Sequence, residues 1–162
     1  GDFRQTLEKV ALYKLGDETP LTPDEVALSA PASVEASVDD VLNITADARP
    51  HEIGPVLRRL EAQGVTPVLL CIQATRHFRR LHTVASDPGG AGSGIGKLRP
   101  PVYGPRRDRV LRQASAWGMY KLEKALTVLL DTDLTLRSSA RVPEMAVMER
   151  ALLRLASLGG KR

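Results

Sequence analysis

From Leu122 onward the apolar residues return every three or four positions: Leu122, Ala125, Leu126, Leu129 and Leu130, then Leu134 and Leu136. That spacing lines one face of a helix with 3.6 residues per turn. A strand, with its period of two, would scatter the same residues over both faces. The interval recurs through nearly the whole chain, and no strand-like alternation, hairpin dipeptide or internal repeat competes with it. This restricts the chain to an all-α fold, a helical bundle.

Punctuation divides the bundle into elements. Phe3, Leu7, Val10, Ala11 and Leu15 predict a first helix, with Asp2 as its N-cap and Gly16 as its stop. Thr22-Pro23-Asp24-Glu25 announces a short second one, broken at Ala30-Pro31-Ala32. Ser33 is placed to cap a stretch carrying Val34, Val38, Val41 and Leu42. Pro50-His51-Glu52 opens a helix with Ile53, Val56, Leu57 and Leu60 that ends at Gly64, and Thr66-Pro67 opens another that reaches Leu81. Val68-Leu69-Leu70-Cys71-Ile72 is apolar all round, which places this helix at the centre of the bundle. From Ser86 to Pro105 the pattern collapses into glycine and proline, which predicts a flexible connector at 87–105 with its glycine-rich half mobile. Helical patterning resumes at Arg107, runs past Trp117 and ends at the polar loop Ser138-Ser139-Ala140-Arg141. Pro143-Glu144 then opens a last helix with Met148, Leu152, Leu155 and Ala156.

Composition narrows the class further. With 162 residues, 43% of them hydrophobic, the chain can build a core for one domain, or one and the stub of another, which excludes disorder throughout. No apolar run approaches the roughly 18 residues of a membrane span. The single cysteine, Cys71, excludes an internal disulfide framework and a cysteine-based zinc site, and fits a cytoplasmic setting. Gly1-Asp2-Phe3 reads as the start of a piece of a longer protein. A net charge of +4 permits nucleic-acid contact without specifying it.

Motifs for chemistry are absent. The glycines ending at Gly96-Lys97 do not form a P-loop, because Ala91 stands where the first glycine is needed and Leu98 where the Ser or Thr is needed. His77 and His82 are five apart, one too many for neighbours on a helix face, so no metal set is expected and His51, His77 and His82 read as ordinary histidines. Cys71 sits in the most apolar stretch and reads as a small buried side chain rather than a nucleophile. Asp131 and Asp133 fall on opposite helix faces, unsuited to paired acid–base work. The sequence thus offers no catalytic residue, cofactor site or metal site.

Arginines are more informative. Arg76, His77, Arg79 and Arg80 gather on one helix, and Arg106, Arg107, Arg109 and Arg112 at the start of another. Such clusters serve as a solvated face, as a contact for an acidic partner, or as a grip on phosphates. Trp117, Met119 and Tyr120 fit a core or helix–helix contact better than a base-stacking platform.

The order of motifs resembles one family, the delta subunit of the bacterial DNA polymerase III clamp loader. Leu7-Glu8-Lys9-Val10-Ala11-Leu12-Tyr13 is similar to the family's Glu-x-x-Lys-hydrophobic-x-x-Tyr helix, and Leu21-Thr22-Pro23-Asp24-Glu25-Val26 to the entry that follows it. The hairpin Leu57 to Leu70 turning at Gly64-Val65-Thr66-Pro67, then Arg76 to Leu81, then Leu98-Arg99-Pro100-Pro101-Val102-Tyr103, continue the order. Leu122 to Arg137, ending Asp133-Leu134-Thr135-Leu136-Arg137, resembles the helix that closes on acid-x-x-x-Lys. Here Arg137 replaces the usual Lys, keeping charge and changing geometry. The insert Gly89 to Gly96 has no counterpart, and the loop Ser138 to Val142 carries no aromatic residue.

The resemblance implies a division of labour. Residues 1–16 would be the last helix of the lid domain, and 17–162 the C-terminal collar domain. Its role would be to assemble with the gamma/tau and delta-prime type subunits during loading of the sliding clamp onto primed DNA in replication. The clamp itself would be met only by an N-terminal domain outside this chain. ATP hydrolysis would belong to other subunits, so the chain would be no enzyme, although its parent serves a polymerase holoenzyme, a nucleotidyltransferase complex. Arg137 and Arg141 would face primer–template DNA. From helical spacing, Arg106, Arg107, Arg109, Arg112, Met148 and Leu152 are expected at subunit interfaces, with an exposed hydrophobic patch on the isolated chain. A stand-alone basic helical nucleic-acid-binding domain is the alternative, and a small helical hydrolase or transferase a more distant one.

Overall fold

The structure, a computed structural model, describes residues 32–139 and 141–161. The helices expected over Phe3–Leu15 and from Thr22, and the lid boundary at Gly16, lie outside the described residues. Packing divides the chain between Ala36 and Ser37, and the bundle below is the second unit, Ser37–Arg162.

Seven α-helices and no strand occur among the described residues: α1 (Ala32–Ala46), α2 (Ile53–Ala62), α3 (Pro67–Ala85), α4 (Ala91–Ile95), α5 (Gly104–Trp117), α6 (Met119–Arg137) and α7 (Glu144–Gly160). The all-α expectation holds. Ser33, expected as a cap, falls inside α1. Pro50–Glu52 forms a single 3-10 turn that leads into α2.

Helix α3 is the axis of the bundle, as its all-round apolar start predicts, with α4, α5, α6 and α7 all packed on it. Its entry is fixed by Thr66, whose Oγ1 accepts the Leu69 N–H at 3.2 Å, and by Pro67 in the first turn. Leu70, Cys71, Ala74, Phe78, Leu81 and Val84 are its buried residues. Helix α6 runs antiparallel to α3. The Cys71 thiol lies 3.6 Å from the Leu129 carbonyl, and the His82 ring nitrogen 3.3 Å from Glu123 Oε1 further along.

Apolar spacing alone did not reveal where the run from Arg107 to Leu136 divides. Gly118 stands between α5 and α6 with φ of 77°, in a region costly for any side chain, and its N–H returns to the Ala114 carbonyl at 3.0 Å. The turn folds α5 beside α3 and α6 along its other flank.

The connector at 87–105, expected to be flexible with a mobile glycine-rich half, carries regular structure in that half. Helix α4 lies within it, with Gly94, Ile95 and Leu98 buried. At Gly94 glycine serves close approach, because a Cβ there would run into the backbone of Val84 on α3. Lys97 Nζ closes the loop on the Asp87 carboxylate at 2.6 Å, and the Gly89 N–H donates to Asp87 Oδ1 at 2.8 Å. Composition cannot distinguish a docked glycine from a free one.

Candidate functional site

Gln113 is the centre of the polar packing between α1, α3 and α5. Fully buried apart from 2% of its surface, it donates through Nε2 to Asn43 Oδ1 at 3.1 Å and to Asp47 Oδ1 at 3.0 Å. Its Oε1 accepts from His77 Nε2 at 3.0 Å, which places the histidine proton on that nitrogen. Burial pushes the His77 pKa down to about 4, so the ring is neutral at pH 7. Beside this network the Trp117 indole N–H donates to the Ala46 carbonyl at 2.8 Å, and its ring meets Phe78 edge-on with centroids 5.1 Å apart. Trp117 is core, as its spacing predicts. Helix spacing gave no signal for Gln113, because a glutamine on an otherwise charged helix reads as surface.

Four of the expected interface residues form the exposed arginine face of α5. Arg106, Arg107 and Arg109 are exposed in its first two turns, with no acidic residue in the opening turn to offset them. Arg112 reaches Asp47 at 3.7 Å. Met148 and Leu152, expected with them at a subunit interface, are instead fully buried in the chain's own core. The reason is that α7 lays its apolar stripe on α6, α2 and α3, which consumes that face within the bundle.

The two arginine clusters converge only in part. Arg80 on α3 has its pKa lowered by burial first and then by the nearby Arg106 guanidinium, while Asp39 acts in the opposite sense. Arg76 and Arg79 turn to the other flank of α3, where they line a groove against α6.

At the far end of α6, Arg137 Nε donates to Asp133 Oδ1 at 2.9 Å, one turn back on the same helix. Arg141 follows in the connection to α7 and is exposed. These two therefore sit on the same end of the bundle, one engaged by a carboxylate. Ala140, the residue before Arg141, lies outside the described residues.

Two open grooves flank α6. One, of about 430 Å³, lies between α3 and α6 over Cys71, Ile72, Leu126, Leu129 and Leu130. The other, of about 470 Å³, lies between α6 and α7 and is lined by Lys124, Asp131, Arg154 and Lys161 among others. Cys71 at the floor of the first has its thiol pushed up to about 11, chiefly by burial and next by Asp133. A thiol held protonated at pH 7 is a poor nucleophile. Among the described residues no three His, Cys, Asp or Glu side chains gather as metal ligands, and no helix is long and apolar enough to cross a membrane.

No family model matches the chain, and no curated protein matches it. Among solved structures it is similar to the DNA clamp loader delta protein of Bacillus subtilis, with a TM-score of 0.63 and 19% sequence identity. The likeness covers 94% of this chain and 45% of that one, so the chain spans less than half the length of the protein it matches. The fold is thus the one that the order of sequence motifs implied.

Proposed function

We propose that the chain is the subunit-assembly, or collar, part of a clamp-loader delta subunit, acting with its partners in loading the sliding clamp onto primed DNA. The observation that carries this reading is the shared fold along 94% of the chain with a clamp loader delta protein. The order of motifs from Leu7 to Arg137 supports it independently of the fold. On this reading the partners are gamma/tau and delta-prime type subunits. Arg106, Arg107, Arg109 and Arg112 supply a rim contact to acidic surfaces of a neighbour, and Arg137 and Arg141 face DNA phosphates in the assembled complex. The chain contributes binding surface and no catalytic step.

A ring contact of this kind persists when it buries about 1,200 Å² or more. Helix faces can supply that area without any cofactor. The exposed arginines at the start of α5 favour a second reading, a basic helical domain that binds nucleic acid on its own. Co-purification of the chain with purified loader subunits, and DNA binding by the chain alone at two salt concentrations, separate the two. Capture by the subunits with weak DNA binding supports the collar reading. Tight DNA binding that falls steeply with salt, without subunit capture, overturns it in favour of the second.

A further inference from the structure

We infer that the groove between α3 and α6 is a docking site for an amphipathic helix of a neighbouring loader subunit, one whose apolar face is bordered by carboxylates. This deepens the collar reading and rests on it.

The groove has an apolar line that the chain does not cover. Leu126, half-buried, and Leu130, 58% exposed, line the groove, and Leu134, 59% exposed, continues the row one turn beyond it along α6. At 1.5 Å rise per residue the line extends about 12 Å, room for two turns of a guest helix. Ile72 on α3 forms the facing wall, and Cys71 and Leu129 the floor. Two antiparallel helices with an uncovered seam offer ridges and grooves into which a third helix packs. An isolated leucine on a surface needs no explanation, but two largely exposed ones one turn apart beside a seam do.

Charge selects the class of guest. Arg76 and Arg79, on the α3 lip at the spacing of one turn, are exposed and make no ion pair among the described residues. The one carboxylate lining the groove, Asp133, is engaged by Arg137 at 2.9 Å. The lip therefore presents two uncommitted cations beside an apolar line, and the complement is a helix with leucine-like residues at three- and four-residue intervals and Asp or Glu along one border. A second copy of this chain, apposed through the same groove, would bring Arg76 and Arg79 near their own equivalents. Nucleic acid would leave Leu130 and Leu134 without a role, since single strands need aromatic platforms and the groove has none.

The test uses the full chain with purified gamma/tau and delta-prime type subunits. Two double variants are compared with wild type: Leu130→Glu with Leu134→Glu, and Arg76→Glu with Arg79→Glu. All four positions are exposed, and circular dichroism and thermal melting check that each variant folds as wild type does. Both variants are expected to weaken subunit capture by about tenfold or more. Arg76→Lys with Arg79→Lys is expected to retain most of it. Capture unchanged in both Glu variants overturns the groove as the contact while the collar reading survives. No capture of the wild-type chain overturns both. Loss of self-association without loss of subunit capture makes a second copy the occupant and overturns the proposal. So does a loss of oligonucleotide binding confined to the arginine variant, with capture by subunits intact.

Discussion

Helix α3 is finished on one flank and left open on the other. Towards α1 and α5 the buried side chains meet partners: Phe78 meets Trp117, the indole donates to Ala46, and Gln113 joins His77 to Asn43 and Asp47. Towards α6, past the contact of Cys71 with Leu129, the surface opens onto Ile72, Leu126 and Leu130. The finished flank draws its free energy from contacts within the chain. The open flank holds apolar surface that gains nothing until something covers it. The two are expected to respond to substitution in opposite ways.

The largest effect is expected at the indole. Trp117→Ala removes a 4% exposed ring, its edge contact with Phe78 and the hydrogen bond to Ala46. Urea denaturation should show a loss of about 3–5 kcal/mol. Leu130→Ala, on the open flank, should change stability by less than about 0.5 kcal/mol. Equal losses at the two positions would break the distinction between the flanks.

Gly94→Ala asks whether α4 belongs to the finished side. The new Cβ would enter the backbone of Val84, so α4 must lift from α3 and release Ile95 and Leu98. A cost of about 1–3 kcal/mol follows from overpacking. Amide hydrogen exchange should quicken over residues 91–98 while the core of α6 stays protected. An unchanged exchange pattern would mean that the loop is only loosely held.

Acid should loosen the finished flank first. His77 has a pKa of about 4 in the folded chain against 6.5 ordinarily, because burial opposes the charged ring. Arg80 and Arg106 add to this, while Gln113 and Asp39 oppose it. Between those values the unfolded chain binds a proton that the folded chain refuses, so stability is full above pH 6.5 and falls as the pH drops towards 4. The ceiling is about 3 kcal/mol, and about 1–2 kcal/mol is expected because the residue is not wholly enclosed. His77→Gln should flatten this part of the pH profile, and the difference between the two curves removes the contribution of carboxylates common to both. Identical slopes would show that the ring takes its proton without unfolding.

Much of this was legible in the sequence, and the parts that were not share a cause. Thr66-Pro67, the all-apolar start of α3 and the spacing of Leu122, Ala125 and Leu129 are local signals, and the elements that they predict form where expected. Gly94, Gln113, Met148 and Leu152 depend on what packs against them from elsewhere in the chain. The glycine-rich segment looked mobile because its docking partner, Val84, is on another helix. Met148 and Leu152 looked available because spacing shows that a face is apolar but not whether the chain itself will cover it. The open groove has the same origin: Leu126, Leu130 and Leu134 belong to one helical pattern with Leu122 and Leu129, and only the packed bundle separates the covered from the uncovered.

The smallest effect on stability, and the sharpest reading of the comparison, is expected at Leu134. With 59% of its surface exposed it contributes little to the fold, so Leu134→Lys should shift the urea midpoint by an amount equivalent to less than about 0.5 kcal/mol. A lysine keeps the stem of the side chain and adds a charge that remains hydrated. The same change should lower binding of an apolar dye such as anilinonaphthalene sulfonate to the native chain, because Leu134 continues the exposed line of Leu130. A loss of stability approaching that of a core position would mean that Leu134 is already covered within the chain, and the open flank would be shorter than the structure draws it.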